Sequence, residues 1–173
     1  IRQTTTVRND GEQAVVLTHL SSLILQGIAL GGAREWSEPG KIKAHYWRQA
    51  WSGEGQWRCD GVDRLGLYRA SPYSMSHAVH WESRGSWSTG RYLPMIVVED
   101  TETQSVWYAQ AETSSNWHIE LGNRHEGAAA GEDSLYIQID GSSEGFGGWT
   151  KTRLPGESFT TVPAAIGCCS GGI

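Results

Sequence analysis

Apolar and polar residues alternate with a period of two along much of the chain. Trp117, Ile119 and Leu121 alternate with His118 and Glu120, and Leu135, Ile137 and Ile139 alternate with Tyr136 and Gln138. Successive side chains of a strand point to opposite faces, so each segment predicts a strand with one apolar face. The same alternation assigns Trp107 and Trp117 to the core. Residues 94–98 (PMIVV) and 105–111 (SVWYAQA) flank the polar run 99–104, which predicts a hairpin with a longer loop. Leu154-Pro155-Gly156-Glu157 has Pro second and Gly third, as a type II turn prefers, and joins 149–153 to 159–162. Segments 4–8 and 13–17 bracket a further turn at 9–12. Few windows of a dozen residues escape Gly or Pro, and no long capped stripe of helical period stands out. The glycine-rich stretches 127–131 and 141–148 read as surface loops. Short strands with turn signals every 8–12 residues predict an all-β fold, an antiparallel sandwich or barrel. No repeat or linker divides it, so 1–173 reads as one domain.

Composition narrows the partners. A length of 173 residues suffices for one hydrophobic core. Glycine supplies 22 residues, about twice its average usage of about 7%. The longest apolar-looking run, 23–30, is broken by Gln26 and falls far short of the roughly 18 residues of a membrane span. Lys and Arg total 14 against 19 Asp and Glu, a net charge of -5, and the arginines are scattered singly. Neither a nucleic-acid nor a membrane partner is expected. The three cysteines, Cys59, Cys168 and Cys169, are an odd set at spacings unlike a disulfide framework. They read as buried apolar thiols of a reduced, cytoplasmic protein. The chain starts at Ile1 without a signal-peptide pattern and stops at Gly171-Gly172-Ile173, and both ends look cut, so a fragment is expected.

Local catalytic signatures are missing. His77 and His80, three apart, fall on opposite faces of a strand and read as solvated imidazoles, and the cysteines lack zinc-site spacing, so no metal or other cofactor is expected. Gly53 and Gly55 match only the first glycines of a dinucleotide fingerprint, with no helix after them. Ser114-Ser115-Asn116 lacks a glycine-flanked nucleophile elbow. Glu54, Asp60, Asp63, Glu82, Glu112 and Glu120 supply carboxylates of the kind glycoside hydrolysis uses in pairs. Acidic residues on strands are mostly solvated, and no catalytic residue is assigned. The nine tryptophans carry more. Trp47, Trp51 and Trp57 lie close together beside Arg48 and Arg58, and Trp81 and Trp87 are followed by Arg91 and Tyr92. Flat aromatic faces flanked by polar groups suit sugars, although Trp is also a large core residue. Nearby glycines place Trp57 and Trp87 in loops, where ligand or interface contact and plain packing weigh equally.

An ordered series of motifs adds a resemblance. Ser52-Gly-Glu-Gly-Gln-Trp57-Arg58 is followed by Gly85-Ser-Trp87-Ser88-Thr-Gly-Arg91-Tyr-Leu-Pro94. Trp107-Tyr108, Ser114-Ser-Asn116-Trp117 and Leu154-Pro-Gly-Glu-Ser-Phe159-Thr-Thr-Val-Pro163 complete the series. Over about 6–172 the chain resembles the N-terminal β-domain of glycoside hydrolase family 36 α-galactosidases. It departs from that pattern at Cys59 and Asp60, where the family usually carries a Glu, and at Ser115, where Gly is common. The resemblance implies the later part of a supersandwich (galactose-mutarotase-like) domain, with the catalytic barrel and both its aspartates outside this chain. It implies a non-catalytic role in barrel packing, oligomer assembly and the rim of the substrate pocket. The implied partners are the chain's own barrel, neighbouring subunits and galactoside oligosaccharides. Trp51, Trp57, Arg58, Trp87 and Arg91 are then rim or interface candidates. The competing readings are an autonomous carbohydrate-binding module that stacks sugars on its tryptophans, and a self-contained hydrolase, which no residue pattern supports.

Overall fold

A computed structural model describes residues 1–28, 39–67, 76–124 and 134–173. Their regular structure is all strand: β1 (Arg2–Gln3), β2 (Thr6–Arg8), β3 (Val15–Leu17), β4 (Ser21–Ile28), β5 (Ile42–Arg48), β6 (Gln56–Gly61) and β7 (Ala78–Ser83) come first. β8 (Tyr92–Asp100), β9 (Ser105–Ala111), β10 (Trp117–Arg124), β11 (Ser134–Asp140), β12 (Lys151–Arg153), β13 (Ser158–Thr160) and β14 (Ala164–Ser170) follow. Six strands form one antiparallel sheet in the order β1-β14-β9-β8-β5-β6, and four form another in the order β4-β11-β10-β7. No helix among the described residues is long and apolar enough to cross a membrane.

The alternation read from the sequence is what joins the two sheets. Trp117, Ile119, Leu121, Leu135, Ile137 and Ile139 are all at most 1% exposed and share a single cluster with Ile42, Ala44, Ile96, Val98, Ala109 and Ala164 of the larger sheet. The apolar faces of both sheets therefore close on one core, as an antiparallel sandwich requires. Bulk comes mainly from the smaller sheet, with Trp81 and Trp117, while the larger one contributes the alanines.

The expected hairpin is β8–β9, and its loop is capped by the Asp100 carboxylate, which accepts from the backbone N–H groups of Glu102 (3.0 Å) and Thr103 (3.2 Å). The turn at 154–157 also forms, with Gly156 at φ 83 and a Glu157 N–H to Leu154 C=O bond of 3.0 Å. The strands it connects do not pair with each other: β12 pairs with β3, and β13 with β2. Asn9 explains the exchange. Its backbone C=O accepts from Gly156 (2.7 Å), its N–H donates to Glu157 (2.9 Å), and its side-chain amide donates to the carbonyls of Gln13 and Arg153. The two bends lie side by side and each strand pairs across to the other arm.

Three further expectations are corrected. All three cysteines are exposed rather than buried. Cys59 sits on β6, the edge of its sheet, and burial fades along β14 before Cys168 and Cys169. Trp57 belongs to strand β6, not to a loop. The stretch 141–148 is a loop, but it holds buried Ser143 and is not purely a surface feature. The stretch 127–131 lies outside the described residues.

Candidate functional site

Two loops at one end of the sandwich carry the exposed Trp51 and Trp87. The 49–55 loop joins β5 to β6 and is closed by a Gly53 N–H to Ala50 C=O bond (3.0 Å) and by Gln49 Oε1, which accepts from Gly55 N–H (2.8 Å). The 84–91 loop joins β7 to β8. Ser83 Oγ donates to the Trp87 carbonyl (2.8 Å), and the buried Trp117 Nε1–H donates to the Ser88 carbonyl. A Gln49 N–H to Arg91 C=O bond of 2.8 Å ties the two loops together. Trp51, 83% exposed, meets Trp87, 46% exposed, edge to face at 6.2 Å.

Beside this pair lies a shallow cleft of about 250 Å³ lined by Arg48, Gln49, Gln56, Gly90, Arg91 and Tyr92. Two guanidinium groups and two amides face it, and no carboxylate is among its described lining residues. Such a surface donates many directional hydrogen bonds, which suits hydroxyls, carbonyls or a carboxylate next to a stacking ring.

The five sequence candidates do not converge on one point. Trp51 and Trp87 meet each other, and Arg91 lines the cleft. Adjacent residues of a strand face opposite ways, so Trp57 and Arg58 are separated by the sheet itself. Trp57, 56% exposed, lies parallel to the His45 ring (5.7 Å) on the outer face. His45 is in turn held by Glu99, Nε2 to Oε2 at 3.0 Å. Arg58 pairs across the strands with Tyr46, on the side of Gln56 and the cleft. Gln49 and Gln56 escaped the sequence reading because nothing in their spacing marks them. They reach the cleft only because β5 and β6 end beside the 84–91 loop.

Beneath the cleft, Tyr46 packs against Trp81 (5.2 Å) and Tyr92 (6.1 Å) and donates its hydroxyl to Asp60 (2.8 Å). Burial, followed by the hydrogen bond and charge of Asp60, pushes its phenol up to about 12, with Arg48 opposing weakly. A phenol in the unfolded chain ionises near about 10. Between those values the folded state holds the extra proton, so stability falls as pH rises. Tyr46→Phe is expected to flatten this alkaline loss, read as the urea midpoint at pH 9 and pH 11.5. An equal loss in both proteins would assign the alkaline limb to other groups.

A second polar group lies on the outer face of the smaller sheet. His118 lies on the polar side of its strand, yet it is 1% exposed, with Phe146 of the 141–148 loop stacked on its ring at 3.8 Å. His80, Glu120 and Asp140 share that face by register. Burial raises the Asp140 carboxyl, but hydrogen bonds with His118, Gln138 and Ser21 and the nearby His19 outweigh it and hold the group below the usual carboxylate range.

No family model matches the chain, and no curated protein matches it. Solved structures do. GH36 α-galactosidase AgaA from Geobacillus stearothermophilus superposes with a TM-score of 0.69 at 15% identity, over 96% of this chain and 20% of that one. The galactosidase domain of the α-galactosidase-sucrose kinase AgaSK gives 0.69 at 12% identity, over 99% and 20%. The α-galactosidase from Lactobacillus brevis gives 0.66 at 13% identity, over 96% and 19%. The chain has the fold of one part of a GH36 α-galactosidase. The all-β resemblance read from the motif series thus holds at the level of the fold, and the chain spans about a fifth of the length of the enzymes it matches.

Proposed function

We propose that this chain is a non-catalytic β-domain of a retaining, α-galactosidase-like glycoside hydrolase, one that packs on a catalytic barrel and helps build the oligomer. The observation that carries this reading is the asymmetry of coverage: nearly the whole chain matches, and it matches only a fifth of each enzyme. A self-contained carbohydrate-active unit has no need of the other four fifths. The Trp51–Trp87 pair and the Arg48–Arg91 cleft form the part of the domain that serves the substrate rim or a neighbouring subunit. There, Trp stacks on a sugar or an apolar partner face, and Arg donates to hydroxyls or carboxylates. Three exposed thiols suit the reducing cytoplasm proposed for it.

In the native-length gene product, Trp51→Ala and Trp87→Ala are expected to lower α-galactoside turnover or to shift the elution volume toward smaller species. Trp57→Ala, on the outer face, tests the subunit contact by itself. Activity and elution unchanged in all three variants would remove the aromatic edge from the functional account.

A second reading is favoured by the exposure of Trp51, Trp57 and Trp87. An autonomous carbohydrate-binding module would use them directly, and titration of galactosides would then quench its Trp fluorescence in a saturable way.

A further inference from the structure

We propose that His80, His118 and Glu120 form a binding site for a divalent transition-metal ion, with Zn²⁺ the ion of choice, that clamps edge strand β7 to β10. Register brings the three together: Glu120 lies directly opposite His80, and His118 is two residues along β10 on the same face. One ligand atom from each falls within 4.8 Å of the other two. His118 Nε2 and Glu120 Oε2 are 4.0 Å apart.

The state of His118 is the observation that points to a cation. Its ring is almost wholly buried under Phe146. Nδ1 bonds to Asp140 Oδ2 at 3.3 Å, so a neutral ring facing that carboxylate carries its proton on Nδ1. Nε2 then presents a bare lone pair, and it has no hydrogen-bond partner among the described residues. Beyond it stand a second imidazole and a carboxylate, each with a ligand atom within 4.8 Å. A metal ion placed between them satisfies all three.

The surroundings match such a site. A ligating histidine whose other nitrogen donates to a carboxylate is the usual support for metal ligands. Glu120 is positioned in the same way, since Tyr136 donates its hydroxyl to Oε1 (2.6 Å) and leaves Oε2 facing His118. Two imidazoles with one carboxylate favour zinc and its first-row neighbours over calcium or magnesium, which take oxygen ligands. Zinc–ligand bonds of about 2.0–2.1 Å draw these atoms inward by roughly 1 Å, a movement open to the exposed ring of His80. Arg84, which stands over the Phe146 ring, is paired with Glu82 (3.0 Å). His77 and His80 alone gave no sign of this, because the second histidine comes from the neighbouring strand.

The test compares the native-length gene product with its His80→Ala and Glu120→Gln variants after chelator treatment. His80 is exposed, and Gln keeps an acceptor for Tyr136, so both variants retain the fold, which far-UV circular dichroism checks. Zinc titration is expected to show one more bound ion per chain in the parent than in His80→Ala. Outer-shell changes alone cost metal sites about 10–100-fold in affinity, so Glu120→Gln is expected to weaken this ion roughly 100-fold or more. With Co²⁺ the parent is expected to show visible ligand-field bands without thiolate charge transfer, and His80→Ala to lose them. Equal stoichiometry and affinity in parent and variants would overturn the proposal. So would a cobalt spectrum dominated by thiolate, which would locate the ion at the cysteines.

Discussion

Trp117→Ala is expected to destabilise the chain by about 3–5 kcal/mol, the range for truncating a fully buried large aromatic. Trp117 is 1% exposed, opens the central strand β10 of the smaller sheet, and contributes to the cluster both sheets share. Its indole also holds the Ser88 carbonyl, so truncation frees the loop that carries Trp87. Trp117→Phe separates the two effects. It keeps most of the packing, loses the hydrogen bond, and is expected to cost clearly less than the alanine. Urea unfolding followed by far-UV circular dichroism reads both, since it does not depend on the indole removed. A cost below about 1 kcal/mol for Trp117→Ala would mean that the two sheets do not share the core described.

Gly122→Ala is expected to destabilise by about 1–3 kcal/mol, although alanine ordinarily suits a strand better than glycine. Gly122 pairs with Tyr136 across β10 and β11, and the tyrosine ring lies flat over it. A Cβ at Gly122 would stand 2.4 Å from the ring, so the ring must swing away and release Glu120. In a Tyr136→Ala background the clash is gone and Gly122→Ala is expected to be neutral or stabilising. The double-mutant cycle measures this coupling directly. Equal costs in the two backgrounds would show that Tyr136 does not cover the glycine. Gly167 and Tyr108 repeat the arrangement in the larger sheet, where the corresponding separation is also 2.4 Å.

Where the sequence succeeded, one rule was enough. The period-two segments at 117–121 and 135–139 became the two central strands of their sheet, and the polar run 99–104 became a hairpin end. The turn at 154–157 formed for the reason its Pro and Gly suggested. What alternation cannot encode is which strand lies next to which. The pairing of β12 with β3 and of β13 with β2 depends on Asn9 meeting a turn that lies far away in sequence. The same gap hid the histidine cluster, whose members come from β7 and β10. It also hid the separation of Trp57 from Arg58, since neighbours in sequence on a strand are opposites in space. Polarity misled in one further respect. His118 and Asp140 sit at positions that alternation assigns to solvent, and a single residue of the 141–148 loop, Phe146, covers the histidine.

The candidate edge was legible as a composition and not as a site. Clustered Trp and Arg marked the right loops, yet the cleft is completed by Gln49, Gln56 and Tyr92 at strand ends that only the sheet order brings together.

The central claim is that this chain serves an α-galactosidase-like enzyme without performing its chemistry. Hydrolysis of a chromogenic α-galactoside, measured in parallel for this chain and for the native-length product of its gene, tests it most directly. The account predicts turnover by the longer product and none above buffer by the chain. Turnover by the chain itself, or none by either, would contradict it.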